Sequence, residues 1–476
     1  MNMKHNRLFA GLVILLSVPA MAQTSFDAAH LYGRELLGTA RYVAMGGAMG
    51  ALGSDASVIS QNPAGIGTYH QSDFNATLSF AGSQSVTSPL LTASNPGQEG
   101  NFMFYSKNRK SELSCSADMI SVILCGGENN SPAYLNFGFV YRRLNNVDYD
   151  LDYIDSYSNG NDDEILREFR DHRTAKVNAF DFNLSANFED IVYLGTTMEI
   201  LSTDVSSTGY FYDYYNRKTN SDRFYSENKW SVSQGHGINM SLGVIVRPVP
   251  VLRIAAALKT PTRFGQSMDY EDNLYVCNEP DLDGDFYASG TDYRFTSPWS
   301  SSLGIGLTAG STAIDIECEK HYTERSALYY DGLQLDAQGG CQYKNFATFR
   351  AGVETNVDKF SFRCGLCHNG SMFKENARPY LTDTGFNDSR SEFQLVRPTT
   401  SNYVSAGIGY CSAPDMLNTQ FYFDMAFVHG AQNQEVCANE ASLSNKDITS
   451  AFTESEPVVD YKYRSNRLMF TVGWCF

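Results

Sequence analysis

Arg467-Leu468-Met469-Phe470-Thr471-Val472-Gly473-Trp474-Cys475-Phe476 puts Leu468, Phe470, Val472, Trp474 and Phe476 on one face of an extended chain. Arg467, Met469, Thr471, Gly473 and Cys475 fall on the other, because successive side chains of a strand point to opposite sides. An unbroken row of large apolar residues opposite a mixed row is the pattern of a strand with lipid on one side and a lumen on the other. A half-buried strand of a soluble sandwich alternates in the same way, so the rest of the chain has to decide between them.

The other end of the chain bears on the compartment. Lys4 and Arg7 precede an apolar run from Leu8 to Val18, and Ala20-Met21-Ala22 follows it. That order predicts a secretory signal peptide over residues 1–22, with a mature chain starting at Gln23. A Gln at that position leaves no cysteine for lipid attachment. Beyond it no window holds the roughly 18 consecutive apolar residues that a spanning helix needs. A membrane protein lacking such helices spans as a closed barrel, since only then is every backbone group paired. The composition is 13% aromatic, with 29 Tyr and 30 Phe, yet the mean hydropathy is only -0.31. Hiding apolar residues at every second position gives that combination. The net charge of -17 and the absence of a basic patch disfavour nucleic acid as a partner. Ten cysteines in an exported chain have access to an oxidising periplasm, but their spacing is not that of a disulfide scaffold, and their pairing is left open.

Alternating stretches of about ten residues, the length of a tilted transmembrane strand, recur through the chain. Fourteen are expected, at about 73–85, 114–125, 133–144, 177–187, 191–203, 235–246, 252–262, 298–308, 313–324, 345–355, 359–369, 400–411, 419–429 and 461–476. Short connections near 127–132, 189–190, 247–251, 309–312, 356–358 and 412–418 alternate with long ones near 86–113, 145–176, 204–234, 263–297, 325–344, 370–399 and 430–460. An even count with short periplasmic turns and long extracellular loops is what a single-chain outer-membrane barrel requires. The alternation also predicts facing. Phe180, Phe182, Leu184 and Ala186 look outward, as do Ile238, Met240, Leu242, Val244 and Val246. Asp315, Glu317, Arg350, Glu354, Arg363, Asp424, Arg253 and Lys259 look inward, which predicts a polar, salt-bridged lumen.

Residues 23–72 do not alternate. Gly38 to Gly53 is dense in Gly and Ala, including Gly46, Gly47 and Gly50, and is followed by Asp55-Ala56-Ser57 and Asn62-Pro63-Ala64. Small residues allow close backbone packing, which fits a compact plug inside the lumen, and Asn-Pro initiates turns. Here the sequence resembles the FadL/TodX-type outer-membrane transporters of long-chain fatty acids and aromatic hydrocarbons. The N-terminal hatch of that family carries a small-residue stretch, an Asp-Ala-Ser element and an Asn-Pro-Ala motif. Val246 to Ala255 and Lys259-Thr260-Pro261 also look like the family. The resemblance implies a fourteen-stranded barrel over residues 73–476, a hatch over 23–72, and a ligand that rests in an apolar pocket above the hatch and leaves sideways into the bilayer.

Other chemistries find little support. On a strand, Cys364 and Cys367 face opposite sides, so their spacing does not make a metal or redox pair. The glycines before Gly53 lack the Lys-Ser/Thr of a phosphate loop, and no Ser-His-Asp or paired-carboxylate arrangement assembles from the eight His and the acidic residues. Asp281-Leu282-Asp283-Gly284-Asp285 and the Asp-rich stretch Asp148 to Glu164 read as acidic extracellular loops, near the divalent ions that bridge lipopolysaccharide phosphates.

The expectation is therefore an all-β, transmembrane antiparallel barrel in a Gram-negative outer membrane, without enzymatic activity, cofactor or metal. It would be a monomer in contact with lipid, lipopolysaccharide and the barrel-assembly machinery, for which Phe476 would supply the assembly signal. Its function would be passive uptake of a hydrophobic or amphipathic small molecule such as a long-chain fatty acid. Arg253, Lys259, Arg350 and Arg363 are the candidate partners for a ligand carboxylate. The alternatives are a docking or shuttle barrel of a secretion machine, or a receptor for another hydrophobic ligand such as haem.

Overall fold

The structure, a computed structural model, describes residues 31–32, 35–89, 103–104, 109–126, 132–158, 164–216, 223–276, 284–330, 333–334, 343–375, 377, 393–438 and 459–476. The expected signal peptide, residues 23–30 and 33–34 of the expected plug, residues 127–131 of the first expected short connection, Asp162, Asp163 and residues 281–283 lie outside them.

Fourteen antiparallel barrel strands follow one another around a closed sheet. They are β1 (Asp73–Pro89), β2 (Arg109–Cys125), β3 (Ala133–Ser158), β4 (Glu164–Phe188), β5 (Val192–Asn216) and β6 (Arg223–Val249). Next come β7 (Leu252–Lys259, resuming as Arg263–Val276), β8 (Gly284–Thr296, resuming as Ser300–Ala309) and β9 (Thr312–His321, with Ala327–Tyr330 above it). The circuit ends with β10 (Phe346–Val357), β11 (Phe360–Asn369), β12 (Phe393–Cys411), β13 (Gln420–Ala438) and β14 (Val459–Cys475). β14 pairs back onto β1 from Asp73↔Cys475 to Pro89↔Val459, so the sheet has no free lateral edge at the seam. Ser72 and Phe476 extend that pairing by exchanging backbone hydrogen bonds of 2.9 and 3.0 Å.

At one rim the strands join by tight turns. Glu189 and Asp190 both take left-handed backbone angles, with φ of 53° and 54°, the conformation that matches the twist of a two-residue hairpin. Outside the wall, Phe180, Phe182, Leu184, Ile238, Met240, Leu242, Ile305, Phe362, Phe427, Leu468 and Trp474 are exposed and form an apolar belt. No helix among the described residues is long and apolar enough to cross a membrane; the belt belongs to strands.

Several segments expected as loops are wall. β3 to β6 run for 25 to 27 residues each, whereas β10 and β11 have 12 and 10. Much of 145–176 and 204–234 is therefore paired strand standing well above the belt, at roughly 3.3 Å per residue. The outward residues there are Thr174, Arg170, Tyr210 and Asn228, so the apolar signal ends although the alternation continues. Segment 263–297 is likewise wall, and its misreading has a local cause. Thr260-Pro261-Thr262 and Ser297-Pro298-Trp299 interrupt β7 and β8 side by side, where Pro cannot donate to the ladder. The extra residue reverses the facing: Leu258 points outward below the break, and Arg263 and Gly265 point outward above it.

Candidate functional site

The N-terminal segment 35–72 folds against the inner side of the wall. Asp55 caps a short 3₁₀ helix, Ala56–Ser60, by accepting from Ser57 N at 2.8 Å. Asn62 caps the next, Pro63–Thr68, by accepting from Ala64 N at 3.1 Å, with Pro63 in the first position where no amide donor is missed. Both short motifs are thus helix starts. Asn62 also donates to Gly50 O at 3.0 Å, tying the motif back to the Gly-rich stretch.

Backbone groups of this segment are satisfied by inward side chains from all round the barrel. Asn136 of β3 donates to Ile66 O at 2.9 Å, Ser185 of β4 to Pro63 O at 3.0 Å, and Thr197 of β5 to Ile59 O at 3.0 Å. Arg253 of β7 donates to Leu52 O. Asp315 of β9 accepts from Ala51 N and Leu52 N, at 3.1 and 3.0 Å, and Glu317 accepts from Gly50 N. Ser405 of β12 donates to Ala44 O, and Thr471 of β14 accepts from Ala40 N at 2.7 Å. Arg41 grips Glu354 of β10 with two bonds of 2.9 Å. Burial alone would lower the Arg41 pKa, but Glu354, with Asp55 and Asp424 nearby, raises it above its ordinary value, so the guanidinium stays charged.

The wall makes room for this segment with glycines of its own. A methyl group at Gly195 would overlap Pro63, at Gly243 Asn62 and Pro63, at Gly352 Met45, and at Gly365 Met45 and Gly46. Gly46 and Gly47 have φ of 65° and 76°, a region that side chains disfavour.

Above the segment the lumen holds apolar clusters among buried polar groups. Leu144, Val177, Leu201, Phe264, Met268, Tyr270, Tyr293, Phe295 and Leu328 form a buried inner cluster with Leu31 and Met372. Within it lies a cavity of about 300 Å³, bordered by Tyr32, Leu36, Leu144, Phe346, Met372 and Phe373, with Arg143, His321 and Arg350 among its polar contacts. Higher still, Leu151, Tyr153, Phe169, Phe211, Leu395, Val436 and Tyr461 pack across the barrel. The expectation of a salt-bridged lumen holds at the level of the N-terminal segment, where Arg142 meets Asp181 and Glu199, and Lys259 meets Glu199 at 2.7 Å, and again higher up, where Arg173 meets Asp171 at 2.7 Å beside buried Glu227 and Lys229.

Beside the cavity the wall forks. β2 pairs with β3 only from Met119↔Arg142 to Cys125↔Asn136. Above that, among the described residues, Arg109–Asp118 of β2 has no ladder partner in β3 and stays with β1, with Lys110 reaching across to Asp150 at 2.7 Å and Met103–Phe104 pairing with Ser156 and Asp155 near the top of β3. The register of β1 with β2 shifts at Asp118, and that of β3 with β4 shifts beside Leu144. Arg143 and Asp118 meet at 2.6 Å in the crotch of the fork, and Leu144 O accepts from Glu35 N at 3.2 Å.

No family model and no curated protein matches this sequence. Solved structures do match the fold. A FadL homologue from Pseudomonas aeruginosa aligns over 93% of this chain and 99% of its own, with 12% identity and a TM-score of 0.58. The toluene transporter TodX of P. putida aligns over 93% and 99%, with 10% identity and a TM-score of 0.50. A TodX variant described as a monoaromatic hydrocarbon channel, aligned over 92% and 98% with 11% identity, reaches 0.51. The chain has the FadL-type barrel fold.

Within this FadL-type barrel the four cations singled out in the sequence are dispersed. Arg253 serves Leu52 O and Lys259 serves Glu199. Arg363 lies between Glu354 and Asp424, at 2.5 Å from each. Arg350 alone of the four borders the cavity, while bonding Glu319 at 2.9 Å. Sequence reading missed the apolar tier of the lumen. Its signal was present, in Phe264-x-Gln266-x-Met268-x-Tyr270, but on the side of a strand taken for a loop. Cys364 is exposed and Cys367 buried, on opposite faces of β11.

Proposed function

We propose that this barrel admits hydrophobic or amphipathic small molecules, such as long-chain fatty acids, across the outer membrane of a Gram-negative cell. Movement is passive, and residues 23–72 act as a hatch. The observation that carries this reading is the amphipathic cavity, lined by Leu36, Leu144, Phe346, Met372 and Phe373 together with Arg143, His321 and Arg350, that lies against the N-terminal segment and beside the fork between β2 and β3. A solute entering from outside exchanges water for Phe, Met and Leu side chains, a favourable transfer at about 25 cal/mol per Å² of apolar surface. The segment below, bonded to strands all round, blocks the straight route to the periplasm. The fork offers a sideways one, with Arg143 and Asp118 at its base. Arg350 is positioned to receive a ligand carboxylate by giving up part of its bond to Glu319. The described transport of toluene by a protein of the same fold supports the solute class. An export signal over residues 1–22, Phe476 as an assembly signal and a monomeric state belong to the same reading.

Mass spectrometry of what co-purifies with the folded protein tests it. Lipids or other apolar molecules held in the lumen support uptake, whereas an empty lumen with stoichiometric secretion proteins supports the docking alternative. Arg350→Gln should weaken binding of a carboxylated ligand about 10-fold, or about 1.4 kcal/mol, and leave an uncharged ligand of equal length unaffected. Equal losses for both ligands would remove Arg350 from the site.

A further inference from the structure

Around the upper border of the belt, polar outward residues tend to find partners. His368 and Asn402 meet at 2.7 Å, and His429 and Asn466 at 2.9 Å. Arg464 bonds Gln432 O and Tyr463 O, and Lys462 pairs with Asp460. One sector departs from this. Arg263, His236 and Arg294 are exposed on the outer face of β6 to β8 and have neither an ion-pair nor a side-chain hydrogen-bond partner among the described residues.

The ladder places these three around a single point. Gly265 lies opposite both His236 and Arg294, and Arg263 stands two residues below it on the same face. Neighbouring strands are roughly 4.8 Å apart and same-face residues roughly 6.8 Å, so the three groups encircle Gly265 within reach of one small anion. Open space extends outward from Gly265, with no atom within 4 Å of where a Cβ would stand. An open depression in the wall begins here and rises past Lys176, Asp204 and Asp292, a row of both signs. The lower row carries no carboxylate.

Height identifies the anion. Arg263 pairs across the ladder with Ile238, and Ile238 with Ile200, so the guanidinium sits level with the top of the continuous apolar rows in this sector, with Val232 and Trp230 standing higher on β6. An arginine on the lipid face is costly in mid-bilayer and tolerated near the headgroups, where phosphate can pair with it. We propose that Arg263, His236 and Arg294 bind the phosphate of an outer-leaflet phosphoglycolipid, the lipid A portion of lipopolysaccharide, and so fix one side of the barrel to the leaflet. The inference rests on the belt facing an outer membrane and is independent of what the lumen carries.

The test titrates the full folded chain in detergent with lipid A and with dephosphorylated lipid A, following binding by native mass spectrometry. The intact protein should bind the phosphorylated form at least 10-fold more tightly. R263Q/R294Q should lose that preference while keeping its heat-modifiable mobility, and K462Q on the opposite wall should keep it. If the double variant folds poorly, R294Q alone should lower the preference by several-fold. Equal binding of both lipids, or an undiminished preference in the double variant, would overturn the site. Full displacement by inorganic phosphate at equal concentration would reduce it to a simple anion patch and overturn the lipid assignment. A protein missing from the outer-membrane fraction but retaining the preference would instead count against the membrane reading.

Discussion

Gly46 and Gly365 touch across the boundary between the N-terminal segment and the wall, and neither leaves space for a side chain. Half of this contact was legible, since Gly46, Gly47, Gly50 and Asn62-Pro63-Ala64 stand out as a motif. The other half was not, because Gly195, Gly243, Gly352 and Gly365 lie scattered through ordinary strands and acquire meaning only when the chain closes. Gly365→Val should leave the strands paired and force the segment away, at roughly 1 to 3 kcal/mol. We expect normal heat-modifiable folding with raised conductance in planar bilayers. Gly50→Leu should act in the same direction from the other side, because its new side chain meets Glu317. Unchanged conductance in both would show that these contacts do not control the opening.

At the scale of the element, the strands were found where their outer faces meet lipid and underestimated where they do not. β4 was expected over 177–187 and runs from Glu164 to Phe188, because Arg170 and Thr174 turn outward above the belt. The breaks at Pro261 and Pro298 hid more, since an extra residue moves the whole apolar set of a strand from one face to the other. The bulge at Asp118 is a third irregularity, and it has a functional test. Deleting Asp118 should let β2 run in regular register with β1 and bring its upper half toward β3. Uptake of a radiolabelled hydrophobic solute should then fall at least 10-fold while the lumen still retains ligand. Uptake at the normal rate would place the exit elsewhere. The seam strands invite a second test, because Trp474 stacks near Phe74 at 6.2 Å and Phe476 continues the same outward row. Phe476→Ala should lower the yield of heat-modifiable barrel in the outer membrane, read from the folded fraction on an unheated gel.

For the whole molecule, the tall wall of β3 to β6 and the alternation of connections fix an orientation. Protease applied to intact cells should cut between Ser158 and Glu164 before it reaches Glu189-Asp190; the reverse order would invert the barrel. Deleting residues 35–69 should give a paired barrel with raised nonspecific conductance, since the ladder of β1 to β14 includes none of them. A folded deletion that conducts no better than the intact chain would mean that another part of the protein blocks the lumen.

The seam also imposes an order in time. Asp73 and Cys475 are bonded neighbours separated by 402 positions in the chain, so the loop they close is nearly the whole protein and is the slowest to form. Residues 35–69 are made first, yet their partners include Thr471 and Arg467 on the strand made last. The segment can complete these bonds only once the last strand has joined, so its docking and the closure of the ring are coupled steps. A peptide of residues 35–69, added to the barrel that lacks them, should find the matching groups on the wall already in place, and a fall of the raised conductance toward that of the intact chain would register its docking.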